Sequence, residues 1–162
     1  MIMSSLNKIQ KLRPLDMGVY THSFVSGKQQ NYIDTQYYFD KETKRFYAKV
    51  FFHKEAQGQP QIVHGGAIAA VLDETLGAAS FMNGYPAVTA SFSITYRIPL
   101  SIESEVIVET WVEKIDGKKV FLMGKMLDKD ETIIAESNAI YIIIPKDKLD
   151  SLILEYGQLN IS

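Results

Sequence analysis

The stretch from Val63 to Gly77 constrains this chain more than any other. Gly65 and Gly66 follow His64 and read as a turn that runs straight into a helix. Ile68, Val71, Leu72, Thr75, Leu76 and Ala79 then recur at i, i+3 and i+4, so they form one apolar stripe. Gly66, Ala70, Asp73 and Gly77 lie on a second stripe, of small residues and one carboxylate. Asp73 has Ala69, Ala70, Leu76 and Gly77 at its i±3 and i±4 positions, so no cation of its own helix pairs with it. An acid among small apolar residues on a mostly buried helix needs a reason, because burying an unpaired charge is costly and such groups mark functional sites.

The flanking sequence supplies strands to cover that helix. Gln30 to Phe39 and Arg45 to His53 are rich in Tyr, Phe, Ile and Val, and the polar run Asp40 to Lys44 joins them as a hairpin. Lys54 to Pro60 is a loop with Gly58. The helix is expected from about Gly66 to Met82, ended by Asn83-Gly84. From Val88 to Ile98 the residues alternate: Val88, Ala90, Phe92, Ile94, Tyr96 and Ile98 on one face, Thr89, Ser91, Ser93, Thr95 and Arg97 on the other. Pro99 stops that strand. Glu105 to Ile115 and Lys119 to Leu127 flank Asp116-Gly117, a hairpin signal because a type I′ turn needs positive φ. Asp128 to Glu131 turns again, Thr132 to Ile144 is the last strand, and Lys146 to Tyr156 reads as a short terminal helix.

This order predicts an α+β fold in which an antiparallel sheet curls around one long helix. Residues 1–29 form an N-terminal arm with Pro14, Gly18 and Gly27 as breakers, 30–145 the domain, and 146–162 a tail. The wrapping leaves the far sheet face and one edge exposed. A long apolar edge invites a second copy, which predicts a homodimer or a dimer of dimers.

Composition narrows the chemistry. A length of 162 residues fits one domain, and 46% hydrophobic with 22% charged residues is a globular profile. A net charge of -2 gives no electrostatic case for nucleic acid. There is no cysteine, so disulfides, thiolate metal sites and a cysteine nucleophile are excluded. His22, His53 and His64 show no metal spacing, so no metal is expected. No apolar run reaches the length of a membrane span. The first residues lack the apolar core of a signal peptide and carry Lys8, Lys11 and Arg13 with no acid before Asp16; an amphipathic arm and a cytoplasmic location are the expectation. No G-x-S-x-G elbow, P-loop or Rossmann fingerprint is present.

His64-Gly65-Gly66 sits where unpaired N–H groups and the positive end of the helix dipole favour an oxyanion or a phosphate. The plainer alternative is a tight turn with a packed histidine. Asp73 is a candidate general base or nucleophile; its plainer alternative is a carboxylate that reaches solvent or Arg97. Glu74 is the rival acid, and its helical neighbours are also apolar. Thr89 could orient a water or the carboxylate, although a row of Ser and Thr is ordinarily a solvated face. Gly65 and Asp73 are eight residues apart. That is roughly 12 Å along a helix, so one carbonyl cannot touch both within one chain. If both act, they come from different subunits.

The pattern His64-Gly65-Gly66, six residues, then Asp73, followed by the strand from Val88 to Pro99, resembles the hotdog-fold acyl-CoA thioesterase superfamily. It is most similar to the phenylacetate-degradation type and the thioesterase superfamily members, and the likeness covers about Tyr32 to Ile144. The resemblance implies hydrolysis of an acyl-coenzyme A to a free acid and CoA, with CoA as part of the substrate and no separate cofactor. It implies Asp73 as the catalytic carboxylate, acting on water or through a mixed anhydride. It implies Gly65, with His64 beside it and Gly66 next, as the carbonyl-polarising turn, and Thr89 as the residue that assists the water. Some relatives carry an Asn or Gln before the motif, and here Gln57, Gln59 and Gln61 compete for that place. Lys118 and Lys119 on a hairpin tip and Arg97 at a strand end are candidates for the CoA phosphates. The rival functions are a non-catalytic acyl-CoA-binding regulatory hotdog protein and a hotdog dehydratase or hydratase, whose glycine-rich motifs are not visible.

Overall fold

A computed structural model describes residues 4–17 and 23–156, with side chains to Ser151; Gly18 and His22 lie outside the described residues. Helix α1 spans Ser5–Ile9; strands β1 and β2 span Ile33–Asp40 and Arg45–Phe52. Helix α2 spans Gly65–Met82, and strands β3 to β6 span Ala87–Tyr96, Ser104–Asp116, Lys119–Leu127 and Ile133–Ile143. Helix α3, Lys146–Tyr156, follows. The strands form one antiparallel sheet in the order β1-β2-β4-β5-β6-β3. Helix α2 lies across its concave face, as the strand-and-helix order predicts. No helix among the described residues is long and apolar enough to cross a membrane.

Local chemistry sets the turns. Asp40 accepts from the N–H groups of Glu42 (2.9 Å) and Thr43 (3.2 Å), which closes the β1–β2 turn. Gly117 adopts φ 55° between β4 and β5, the positive φ that the Asp-Gly pair signals. Asn83 caps α2 by donating from its N–H to Ala79 O (3.2 Å), and Gly84 at φ 88° turns the chain away.

The apolar stripe of α2 is the centre of the core: Val71, Leu72 and Leu76 are fully buried, with Ile68, Thr75 and Ala79 beside them. Thr75 turns its hydroxyl back onto Val71 O (2.9 Å) and Leu72 O (3.0 Å), while its own carbonyl accepts from Thr110 Oγ1 (3.0 Å) on β4. This contact needs a gap in the sheet, and Gly124 on β5 provides it. A Cβ there would stand 2.7 Å from Ser137 Oγ and 3.0 Å from Thr110 Cγ2.

The far face of the sheet is less bare than the sequence implies. Helix α1 lies over it, and Ile9 packs with Tyr38, Tyr47 and Ile107. Beneath the arm, Glu109 is 2% exposed. It is paired with Arg45 (2.6 Å) and Lys125 (3.1 Å) and accepts from Ser5 Oγ (2.9 Å). Burial alone would push its carboxyl up, but the Ser5 hydroxyl, Lys125 and Arg45 outweigh it and hold it below the usual carboxylate range.

Gly124→Ala should therefore lower stability by about 1–3 kcal/mol through overpacking. Adding Ser137→Ala, which removes the nearest atom, should return part of the loss; denaturant titration of the single and double variants checks the coupling.

Candidate active site

The second stripe of α2 faces the sheet margin formed by β3. The strand reaches the helix through an irregularity. Thr89 pairs with Tyr141 and Ser91 with Ile140, so Ala90 is an extra residue in β3. Before this bulge the odd-numbered residues Ala87 and Thr89 face α2; after it the even-numbered Phe92, Ile94 and Tyr96 do. The uninterrupted alternation expected from Val88 to Ile98 is thus corrected. It would have put Thr89 and Phe92 on opposite faces, and the bulge puts them on the same one.

Thr89 accordingly donates from Oγ1 to Asp73 Oδ1 (2.8 Å). Tyr141, across the ladder from Thr89, donates to the same oxygen (2.6 Å) and lies 2.7 Å from the Asp73 carbonyl. The partner of Asp73 is thus a pair of hydroxyls rather than Arg97, which pairs with Glu136 (2.8 Å). The rival acid is occupied differently. Glu74 accepts from Tyr37 OH on one oxygen and from Ser23 Oγ on the other. Burial, the Glu74 charge and that hydrogen bond raise the Tyr37 phenol far above its ordinary range, so it is a fixed neutral donor.

The helix start is built by His64. Its Nδ1 accepts from Gly66 N–H (2.8 Å), so the ring is a neutral N-cap with its proton on Nε2. Gly58 makes room for it, since a Cβ there would lie 3.1 Å from His64 Cδ2. The Gly66 N–H is thereby used, while the Gly65 N–H has no partner among the described residues. Tyr96 OH donates to Gly65 O (2.7 Å) and fixes the turn against β3.

Two separate grooves result. One, of about 660 Å³, holds His64, Gly65, Tyr96, Arg97 and Gln59. The other, of about 460 Å³, holds Asp73, Thr89 and Tyr141, walled by Phe24, Val25 and Val88. Of the loop glutamines, Gln57 accepts from Gln61 N–H (2.8 Å) and shapes the loop, and Gln59 lines the Gly65 groove. Lys118 and Lys119 sit on the β4–β5 hairpin and line neither groove. Both grooves open along β3, whose outer edge has no neighbouring strand among the described residues and exposes Val88, Tyr96 and, just beyond, Ile98. The other sheet edge, β1, is partly covered by Leu15, which donates to Tyr37 O (2.8 Å).

The sequence did not point to Tyr96, Tyr141, Tyr37 or Ser23. Each tyrosine sits in a strand pattern where an aromatic reads as core, and its hydroxyl partner is far away in the chain.

Comparisons with known proteins bear on the fold and on the segment that carries the turn and the helix. A sequence model of the thioesterase superfamily matches residues 60–135, which includes the turn, α2 and β3. The acyl-coenzyme A thioesterase THEM4 of Mus musculus is 34% identical over 130 residues, 80% of this chain and 55% of that protein. The acyl-coenzyme A thioesterase THEM5 of Homo sapiens is 28% identical over 87 residues, 53% of this chain and 35% of that protein. The chain spans about half the length of the THEM4 relatives it matches first. Among solved structures, smu.793 from Streptococcus mutans UA159 bound to acetyl CoA superposes with TM-score 0.65 at 17% identity, over 77% of this chain and 98% of that one. The thioesterase superfamily protein RHA08564 gives TM-score 0.64 at 23% identity, over 67% of this chain and 53% of that one. Those two likenesses establish the fold. The superfamily match across the turn, helix and strand then identifies residues 60–135 of this chain as a thioesterase-superfamily segment, and it is carried on the hotdog fold.

Proposed function

We propose that this chain hydrolyses acyl-coenzyme A thioesters at a site shared by two copies of itself. The observation that carries the reading is the separation of the unpartnered Gly65 N–H and the Asp73 carboxylate into two grooves that flank one open strand edge. Antiparallel pairing of two β3 edges about a two-fold axis between Thr89 and Tyr96 sets the Thr89 end of one copy beside the Tyr96 end of the other. Each resulting site then takes its oxyanion turn from one chain and its carboxylate from the other. The THEM4 relatives are named as acyl-coenzyme A thioesterases, which supports the substrate class.

In this reading the thioester oxygen receives the Gly65 N–H at the positive end of α2, and Gly66 supports the turn through His64 rather than donating. Thr89 and Tyr141 hold Asp73 by Oδ1, so Oδ2 takes a proton from water as its oxygen attacks the carbonyl carbon. The tetrahedral intermediate collapses, the C–S bond breaks, and the proton passes to the CoA thiolate. Arg97 is the cation in the oxyanion groove and the favoured phosphate contact; its exposed pair with Glu136 is weak enough to exchange. The assembly is a homodimer, open to a dimer of dimers, and its setting is the cytoplasm.

Asp73→Asn should lower turnover by about 10²–10⁴-fold with the fold intact by circular dichroism. Glu74→Gln should cost far less, because Glu74 lines the same groove but has both oxygens taken, one by Tyr37 and one by Ser23. An active Asp73→Asn beside a dead Glu74→Gln would reverse the assignment.

Mixing Asp73→Asn chains with Gly65→Pro chains, which lack the N–H, should restore activity. Equal amounts exchanging freely make about half the dimers mixed, each with one intact site, so about a quarter of wild-type activity should return. Native mass spectrometry verifies the exchange. Verified mixed dimers that stay inactive would falsify the shared site.

Arg97→Ala should raise KM for an acyl-CoA about 10-fold and leave the matching acyl-pantetheine unchanged, as expected for a lost charged contact. Lys118→Ala and Lys119→Ala should change both values little; the reverse pattern moves the phosphate contact to the hairpin.

A further inference from the structure

The groove at Asp73 has a wall that the reaction described above does not use. It is the turn from Ser23 to Gly27, which closes with Gly27 N–H on Ser23 O (2.9 Å). Ser23 Oγ stands at its hub. It accepts from Val25 N–H (3.1 Å) and Ser26 N–H (3.3 Å), and it donates to Glu74 Oε2. Glu74 is the residue next to Asp73, and Tyr37 OH holds its other oxygen. Two further bonds pin the turn from behind: Gln30 Nε2 to Val25 O (2.8 Å) and Tyr32 OH to Phe24 O (2.6 Å). The result is a rigid turn clasped to the helix beside the carboxylate. It presents Val25, buried in the core, and Phe24, a residue 71% exposed whose ring leans on Tyr32 at 5.7 Å between centroids.

A large aromatic held this firmly in the open invites a partner for its free face. Phe24 and Val25 line the groove together with Ala70, Gly77, Ala87 and Val88, so the surface offered is apolar and its floor is made of small side chains. The polar groups there are engaged with one another: Asp73 with Thr89 and Tyr141, Glu74 with Tyr37 and Ser23. Among the described residues no Lys or Arg lines it, in contrast to the Gly65 groove with Arg97. Such a surface suits a hydrocarbon tail and not the phosphates of CoA.

We propose that the clasped turn is the acyl-selecting wall of the site: Phe24 is the residue that contacts long acyl tails, and Ser23 with Glu74 are positioning residues that hold it there. The inference rests on the thioesterase reading and adds the substrate class, acyl groups with an extended apolar chain. Glu74 acts through Ser23 and never on the thioester, so its carboxylate serves selection while Asp73 serves chemistry.

The test measures kcat/KM for a series from acetyl-CoA to palmitoyl-CoA. Phe24→Ala should lower the palmitoyl-to-acetyl ratio about 10-fold, the loss expected when an aromatic contact with a hydrocarbon is removed. Ser23→Ala should lower the same ratio by releasing the turn, and Ser23→Thr, which keeps the hydroxyl, should restore it. A merely structural role would scale all substrates together and shift Tm, leaving the ratio in place. A ratio that is unchanged or raised in both Phe24→Ala and Ser23→Ala overturns the inference, as does a loss of dimer mass with the ratio unchanged. A wild-type chain that hydrolyses no member of the series overturns the thioesterase reading itself and the inference with it.

Discussion

Helix α2 packs on this sheet over a position that has no side chain. At Gly124 the sheet lets Thr110 reach the carbonyl of Thr75 and lets Leu76 drop to within 3.4 Å of where a Cβ would stand. That contact fixes how the helix is turned about its axis. With Leu72, Thr75 and Leu76 pressed down, Asp73 must face β3 and Glu74 must face the arm. That two adjacent acids meet different partners, Asp73 with Thr89 and Tyr141 and Glu74 with Tyr37 and Ser23, follows from this rotation.

The polar atoms of α2 are then secured from outside by phenols. Tyr96 donates to Gly65 O, Tyr141 to Asp73, and Tyr37 to Glu74, each from a different strand. A tyrosine suits this task because its ring packs as core while its hydroxyl carries one directed bond. The helix needs such fastening because its own sequence offers no cation to hold either carboxylate.

Much of the fold was legible because its signals are local. The hairpin turns at Asp40 and Gly117, the Asn83-Gly84 stop and the apolar stripe of α2 each depend on residues within a few positions of one another. The helix start at His64-Gly65-Gly66 and the place of Asp73 on the second stripe were legible for the same reason, since both are set by spacing along one segment. What stayed hidden depends on distance in the chain. The hydroxyls that meet Asp73 and Glu74 come from Tyr141, Tyr37 and Ser23, and nothing in their neighbourhoods marks them. The cover that α1 gives the far sheet face was hidden too, because a five-residue helix has no periodicity to read.

The bulge at Ala90 was the deepest omission, and it has a consequence of its own. In a strand, which way a side chain points is a matter of counting, and one extra residue changes the count for everything beyond it. Here that change lets Thr89 and Tyr96 both meet the same helix, one at each groove. Substitutions in β3 alter one side chain at a time, but gaining or losing a single residue there would exchange inside for outside along half the strand. A strand of like sequence that lacks the extra residue, laid against this one without a gap, would match letters while mismatching faces from Ser91 onward.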